Sequence, residues 1–143
     1  MLETIRQIVS WWRAADETSN RIRVLAITND DRDKRALAAF SVRNRWDLIM
    51  TGACEEALEI VKKGGAAVIL YDRDLPGLDW RDALRKLAAA TPACPVILTS
   101  PVNDGYLWGE VIRRGGYDVL AKPLEEDQTV RFVNLAWSLW NKL

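Results

Sequence analysis

The sequence predicts an α/β domain: a doubly wound sheet of five parallel strands made from five βα units, with an extra helix in front. Three observations carry this. Between Ile22 and Leu143, short apolar runs alternate five times with stretches of helical periodicity. That alternation is the pattern of a parallel sheet covered by helices on both faces. The run Ala66–Tyr71 is apolar throughout, as expected of a strand buried on both sides. Finally, the strand runs end on polar residues or turns, at Thr28-Asn29, Thr51, Asp72, Ser100 and Lys122.

Residues 1–20 form a unit apart from the domain over 21–143. Within 2–15, Ile5, Ile8, Val9 and Trp12 follow helical spacing, with Glu3, Arg6, Gln7 and Arg13 on the other side, which predicts an amphipathic helix. Asp16–Asn20 is polar and reads as a linker. Ile22–Thr28 is the first strand, and it runs into Asn29-Asp30-Asp31 and a helix to about Val42. Trp46–Met50 is the second strand, and Glu55–Lys63 is a helix stopped by Gly64-Gly65. The third strand is the Ala66–Tyr71 run, closed by Asp72-Arg73-Asp74 and a Leu-Pro-Gly turn. Asp79 can cap a helix over Trp80–Ala90. Pro95–Thr99 is the fourth strand, Asp104–Arg114 a helix, Tyr117–Ala121 the fifth strand and Glu125–Lys142 the last helix.

Composition narrows the function. Apolar residues make up 49% of the 143, enough for one domain with a real core. Twenty basic residues balance 20 acidic ones, so nothing recommends nucleic acid or an anionic membrane as partner. No apolar run approaches the roughly 20 residues that span a bilayer. No signal-peptide core opens the chain, since Glu3, Arg6 and Gln7 interrupt it, and a cytoplasmic location is expected. The chain has no histidine, which removes Ser–His and Cys–His nucleophile pairs and His metal ligands. Cys54 and Cys94, the two cysteines, are expected reduced and in or near the core.

Right-handed crossovers put all five strand C-termini on one edge of such a sheet, where ligands of open α/β sheets bind. Asp72, the Ser100 hydroxyl and the Lys122 amine therefore converge there, beside Thr28-Asn29-Asp30 and Thr51. A carboxylate nucleophile, a compact cation, a hydroxyl donor and acids that can hold Mg²⁺ suit phosphoryl transfer onto an aspartate.

With these residues in view, the chain resembles the receiver domain of bacterial response regulators, which has the flavodoxin-like (βα)5 fold. The resemblance covers about residues 22–143. It rests on IRVLAITNDD, GACEEAL, VILYDRDLPGLD, PVILTS and GGYDVLAKPL. The Asp72, Pro76, Gly77 pattern and Lys122-Pro123 are its most specific parts. It implies Asp72 as phosphoacceptor, with Ser100 as switch hydroxyl and Lys122 as the catalytic lysine, joined to Pro123 by a cis bond. It also implies Mg²⁺ held by Asp72, by the backbone carbonyl of Asp74 and by the carbonyl oxygen of Asn29. A small register shift would add Asp30. Two positions depart from the family. Thr28 and Asn29 stand where receivers usually carry two adjacent acids, so Mg²⁺ affinity should fall. Val119 stands where many carry an aromatic.

The expected function is therefore a stand-alone receiver, not an enzyme. It takes a phosphoryl group from a histidine kinase or phosphotransfer protein in a phosphorelay, with output through contacts to a downstream protein. No output domain is expected after the last helix. The alternative is a pseudo-receiver, a phosphorylation-independent interaction module, for which Thr28 and Asn29 speak. More remote is an Asp-based phosphatase: Asp72-Arg73-Asp74 looks like the haloacid-dehalogenase motif, but Pro76 and the late strand depart from it. A flavodoxin-like FMN site lacks its phosphate cradle. On the last helix, Val130, Val133, Trp137 and Trp140 form one apolar stripe and Phe132, Ala136, Leu139 and Leu143 another. The N-terminal helix is expected to cover the second stripe, within one chain or across a homodimer, with Trp108 at its rim.

Overall fold

The computed structural model describes residues 6–7 and 21–140. Of the predicted N-terminal helix, only Arg6 and Gln7 fall among them. The 16–20 linker and residues 141–143 lie outside. Five strands, β1 (Arg23–Ile27), β2 (Asp47–Thr51), β3 (Val68–Asp72), β4 (Val96–Ser100) and β5 (Asp118–Ala121), alternate with five helices. The helices are α1 (Asp31–Asn44), α2 (Cys54–Lys63), α3 (Trp80–Ala90), α4 (Gly105–Arg113) and α5 (Glu126–Trp140). All the strands pair in parallel, in the order β2-β1-β3-β4-β5. This is the predicted doubly wound (βα)5 sheet, and β1 and β3 sit side by side where the order reverses.

Alternation along the strands divides the core in two. Leu25, Ile27, Ile69, Tyr71, Val96 and Leu98 meet α2, α3 and α4 on one face. Val24, Ala26, Val68, Leu70 and Ile97 meet α1 and α5 on the other. Strands β3 and β4 are buried at every position, because helices cover both faces of a parallel sheet. Local chemistry sets the helix ends as expected. Asp79 caps α3 through Arg81 N at 2.8 Å. Gly64 ends α2 with φ +92°, a conformation that costs glycine little. Cys54 and Cys94 are free thiols and buried.

The last helix differs from its predicted two-stripe reading. Its buried residues are Thr129, Val133 and Ala136, one from each stripe plus a threonine. Trp140 turns back to the domain, donating its indole N–H to Pro92 O at 3.0 Å and meeting Tyr117 edge-on at 5.8 Å. Leu135, Trp137 and Leu139 remain half-exposed. The reason is geometric: the buried arc at i, i+4, i+7 bisects the two stripes.

Burial also sets an alkaline limit on stability. It pushes the Cys94 thiol up to about 12 from 9.0. Burial, with the charges of Cys54, Asp72 and Asp79, pushes the Tyr71 hydroxyl up to about 12 from 10.0. Both groups titrate earlier in the unfolded chain, so above its pKa values that chain binds fewer protons. Their contribution is whole below pH 9 and is lost as pH rises toward 12. Cys94 alone should cost about 2 kcal/mol between pH 9 and about pH 10.5. Urea denaturation at those two pH values checks it, and Cys94→Ala should flatten the slope.

Candidate functional site

Strand β3 delivers Asp72 to the C-terminal edge of the sheet, where the residue is only 5% exposed. The carboxylate shapes its own turn, because Oδ1 accepts from Asp74 N at 3.0 Å. The backbone closes the same turn through Leu75 N on Asp72 O at 3.1 Å. Oδ2 accepts from the Thr28 hydroxyl at 3.2 Å across the β1–β3 boundary. Thr28 in turn accepts from Asp30 N at 3.0 Å. Its buried hydroxyl thus links the start of α1 to Asp72. Thr28→Val keeps the shape and removes both bonds, and should cost roughly 1–2 kcal/mol by urea denaturation.

Lys122 follows β5, with a cis peptide bond to Pro123. Its amide donates to Ser100 O at 2.9 Å, which ties it to the end of β4. Its side chain is 12% exposed, and the ammonium faces three carboxylates. Asp33 Oδ2 lies at 2.7 Å, Asp30 Oδ2 at 3.4 Å and Asp72 Oδ1 at 3.4 Å. Burial works against the charged ammonium, but Asp33, Asp72 and Asp30 outweigh it and hold the amine above its ordinary value. Burial raises the Asp33 carboxyl despite Lys122. Asp30 is the N-cap of α1, its Oδ1 accepting from Arg32 N at 2.8 Å and Asp33 N at 3.3 Å. The Asp33 amide in particular, then that of Arg32 and the charge of Lys122, hold the Asp30 carboxyl below its usual range.

Asp33 is the site residue that sequence reasoning missed. The signal was present: Asp33, Leu37 and Phe40 form the buried face of α1, so the acid lies on the helix's core-facing stripe. Asp30 reaches the site from the cap position, with no register shift in β1.

The other named residues sit less centrally. Asn29 is exposed and turns toward β2, where its Nδ2 donates to Gly52 O at 3.2 Å. A Cβ on residue 52 would stand 2.0 Å from Asn29 Oδ1, so any other residue there would push this exposed carboxamide aside. Asp74 is exposed and meets Asp72 through its backbone N–H. Ser100 is fully buried, its Oγ accepting from Val102 N at 3.0 Å and Arg73 Nη1 at 3.4 Å. Val119 is buried in the core beneath α4.

The family model of the response regulator receiver domain matches residues 24–134. The chain belongs to the response regulator receiver domain family. Among its relatives is protein PilH of Pseudomonas aeruginosa, 26% identical over 116 residues, which are 78% of this chain and 94% of PilH. The C4-dicarboxylate transport transcriptional regulatory protein DctD of Rhizobium meliloti is 30% identical over 112 residues, 73% of this chain. The receiver spans 23% of the length of DctD. A solved receiver domain of a Pseudomonas aeruginosa sensor histidine kinase superposes with TM-score 0.73 at 18% identity, covering 82% of this chain and 98% of that one. That structure has a magnesium ion coordinated in its active-site cleft. Among the described residues here, no helix is long and apolar enough to cross a membrane.

The residues of this receiver do not fit a magnesium ion in the arrangement that the resemblance implied. Asn29 packs on Gly52, and Thr28 brings a hydroxyl that is spent on Asp72. Asp30, Asp33 and Asp72 all face Lys122, at 2.7–3.4 Å. Those are ammonium distances, whereas Mg²⁺ draws oxygens to about 2.1 Å. Among the described residues, no group of three or more His, Cys, Asp or Glu is placed to hold a metal. What the site brings together is a buried carboxylate, a cation beside it and a buried hydroxyl on the neighbouring strand.

Proposed function

We propose that this receiver accepts a phosphoryl group on Asp72 from the phosphohistidine of a histidine kinase or phosphotransfer protein. A single observation supports the reading most: the buried Asp72 carboxylate lies 3.4 Å from the ammonium of Lys122. An Asp72 oxygen attacks phosphorus, the P–N bond breaks, and its electron pair returns to the partner's imidazole. Lys122 neutralises charge on the transferred group, and Ser100, once its Oγ turns from Arg73, donates to a phosphoryl oxygen. Output then runs through contacts with a downstream protein. Incubation with acetyl phosphate, read by intact mass, tests this: one phosphate-sized gain per chain is expected. No gain would give the chain to the second reading, a phosphorylation-independent module, which the Asn29–Gly52 contact favours.

The half-exposed Leu135, Trp137 and Leu139 of α5 further support self-association through the N-terminal and last helices. Light scattering on the eluting peak is expected to give twice the chain mass, and Leu139→Glu is expected to halve it. A wild-type monomer would end this part of the proposal.

A further inference from the structure

We infer that Lys122 is the resident cation of this pocket and that it competes with a divalent ion for the carboxylates of Asp30, Asp33 and Asp72. This goes beyond phosphoryl acceptance and does not depend on it. Three features support it. The ammonium sits among three carboxylates from two separate parts of the fold, the start of α1 and the end of β3. Its closest partner is Asp33, whose side chain is 6% exposed and whose Oδ2 has no other partner. A buried carboxylate of this kind needs a cation. The strand-end positions that could have brought a metal carboxylate are Thr28 and Asn29, one bonded to Asp72 and the other to Gly52.

The negative charge missing from the end of β1 is therefore supplied one helical turn later, by Asp33. It stands close enough to Lys122 to hold the ammonium in the space a metal would use. A divalent ion entering the pocket has to displace the ammonium from Asp33. With the lysine gone, no positive charge is left among the Asp30, Asp33 and Asp72 carboxylates, and a divalent ion has to draw them in from the 2.7–3.4 Å at which they stand from the ammonium. The competition predicts that removing the ammonium strengthens Mg²⁺ binding, and that Asp33 is needed for the gain.

Isothermal titration of the full chain with MgCl₂ tests this on the wild type, Lys122→Met and the double variant Asp33→Asn/Lys122→Met. Lys122→Met is expected to bind Mg²⁺ at least about ten-fold more tightly than wild type, because a unit charge a few ångströms from the ion is gone. The double variant is expected to lose that gain. Equal affinities in wild type and Lys122→Met would overturn the inference, as would a double variant that kept the gain. If Lys122→Met is unfolded without metal, circular dichroism decides. Recovery of the fold with Mg²⁺, and not with NaCl of equal ionic strength, supports the competition. No recovery overturns it. Phosphoryl uptake is read separately by mass, so either reading can fail alone.

Discussion

Asp72→Asn is expected to abolish the phosphate-sized mass gain from acetyl phosphate while leaving the fold in place. The carboxamide has no anionic oxygen to attack phosphorus, so the loss should be complete rather than partial. Folding should survive for a structural reason. The amide oxygen can still accept from either Thr28 or the Asp74 N–H, the two neutral donors on the Asp72 oxygens. One of those bonds is lost when an NH₂ replaces an oxygen, which costs about 1 kcal/mol. Two charge effects then oppose each other: Asp72 no longer repels Asp33, whose carboxyl its charge helps to raise, and no longer attracts the Lys122 ammonium at 3.4 Å. Urea denaturation should therefore place the variant within about 1 kcal/mol of wild type. A mass gain that survived in Asp72→Asn would put the acceptor elsewhere and sink the proposed role.

The second large effect concerns stability. Lys122→Met is expected to lower the unfolding free energy at pH 7 without metal by about 3 kcal/mol, since it leaves buried carboxylates without their counter-ion. Asp33 should bear most of that cost: it is the nearest carboxylate, at 2.7 Å, and it is buried, whereas Asp30 is more exposed. Adding Asp33→Asn in the Lys122→Met background should then recover a good part of the loss. The same Asp33→Asn change in the wild-type background should recover nothing, because it breaks a pair instead of relieving an unpaired charge. The four unfolding free energies form a double-mutant cycle. A cycle with no coupling between positions 33 and 122 would show that the pair carries no energy of its own.

Both predictions depend on contacts of very different legibility. That Asp72, Ser100 and Lys122 share one edge follows from strand ends alone, once five parallel strands are inferred. Ser100 Oγ is satisfied by Val102 and Arg73, and sequence reasoning had no access to that, because Arg73 belongs to the turn after β3. The Asn29 carboxamide was expected to offer an oxygen to a metal and instead fills the space above Gly52. Its orientation depends on β2 lying beside β1, a pairing local pattern does not reveal in detail. The two stripes of α5 fail for a related cause: apolar spacing shows which residues can be buried, while the sheet beneath selects the arc that is.

What the sequence determined by itself was the list of elements, their order and their caps. Apolar periodicity, Asp79 ahead of α3, and Gly64 after α2 act over a few residues and need no partner from elsewhere. It determined too that a carboxylate, a hydroxyl and an amine end three parallel strands. Tertiary structure alone decided the charge arrangement around Lys122. Asp30 and Lys122 lie 92 positions apart, and Asp33 reads in sequence as one more acid in the first turn of a helix. Helical spacing puts it on the stripe of Leu37 and Phe40, but only the packing of α1 against the sheet brings it to Lys122, and only burial makes that pairing strong enough to govern the site.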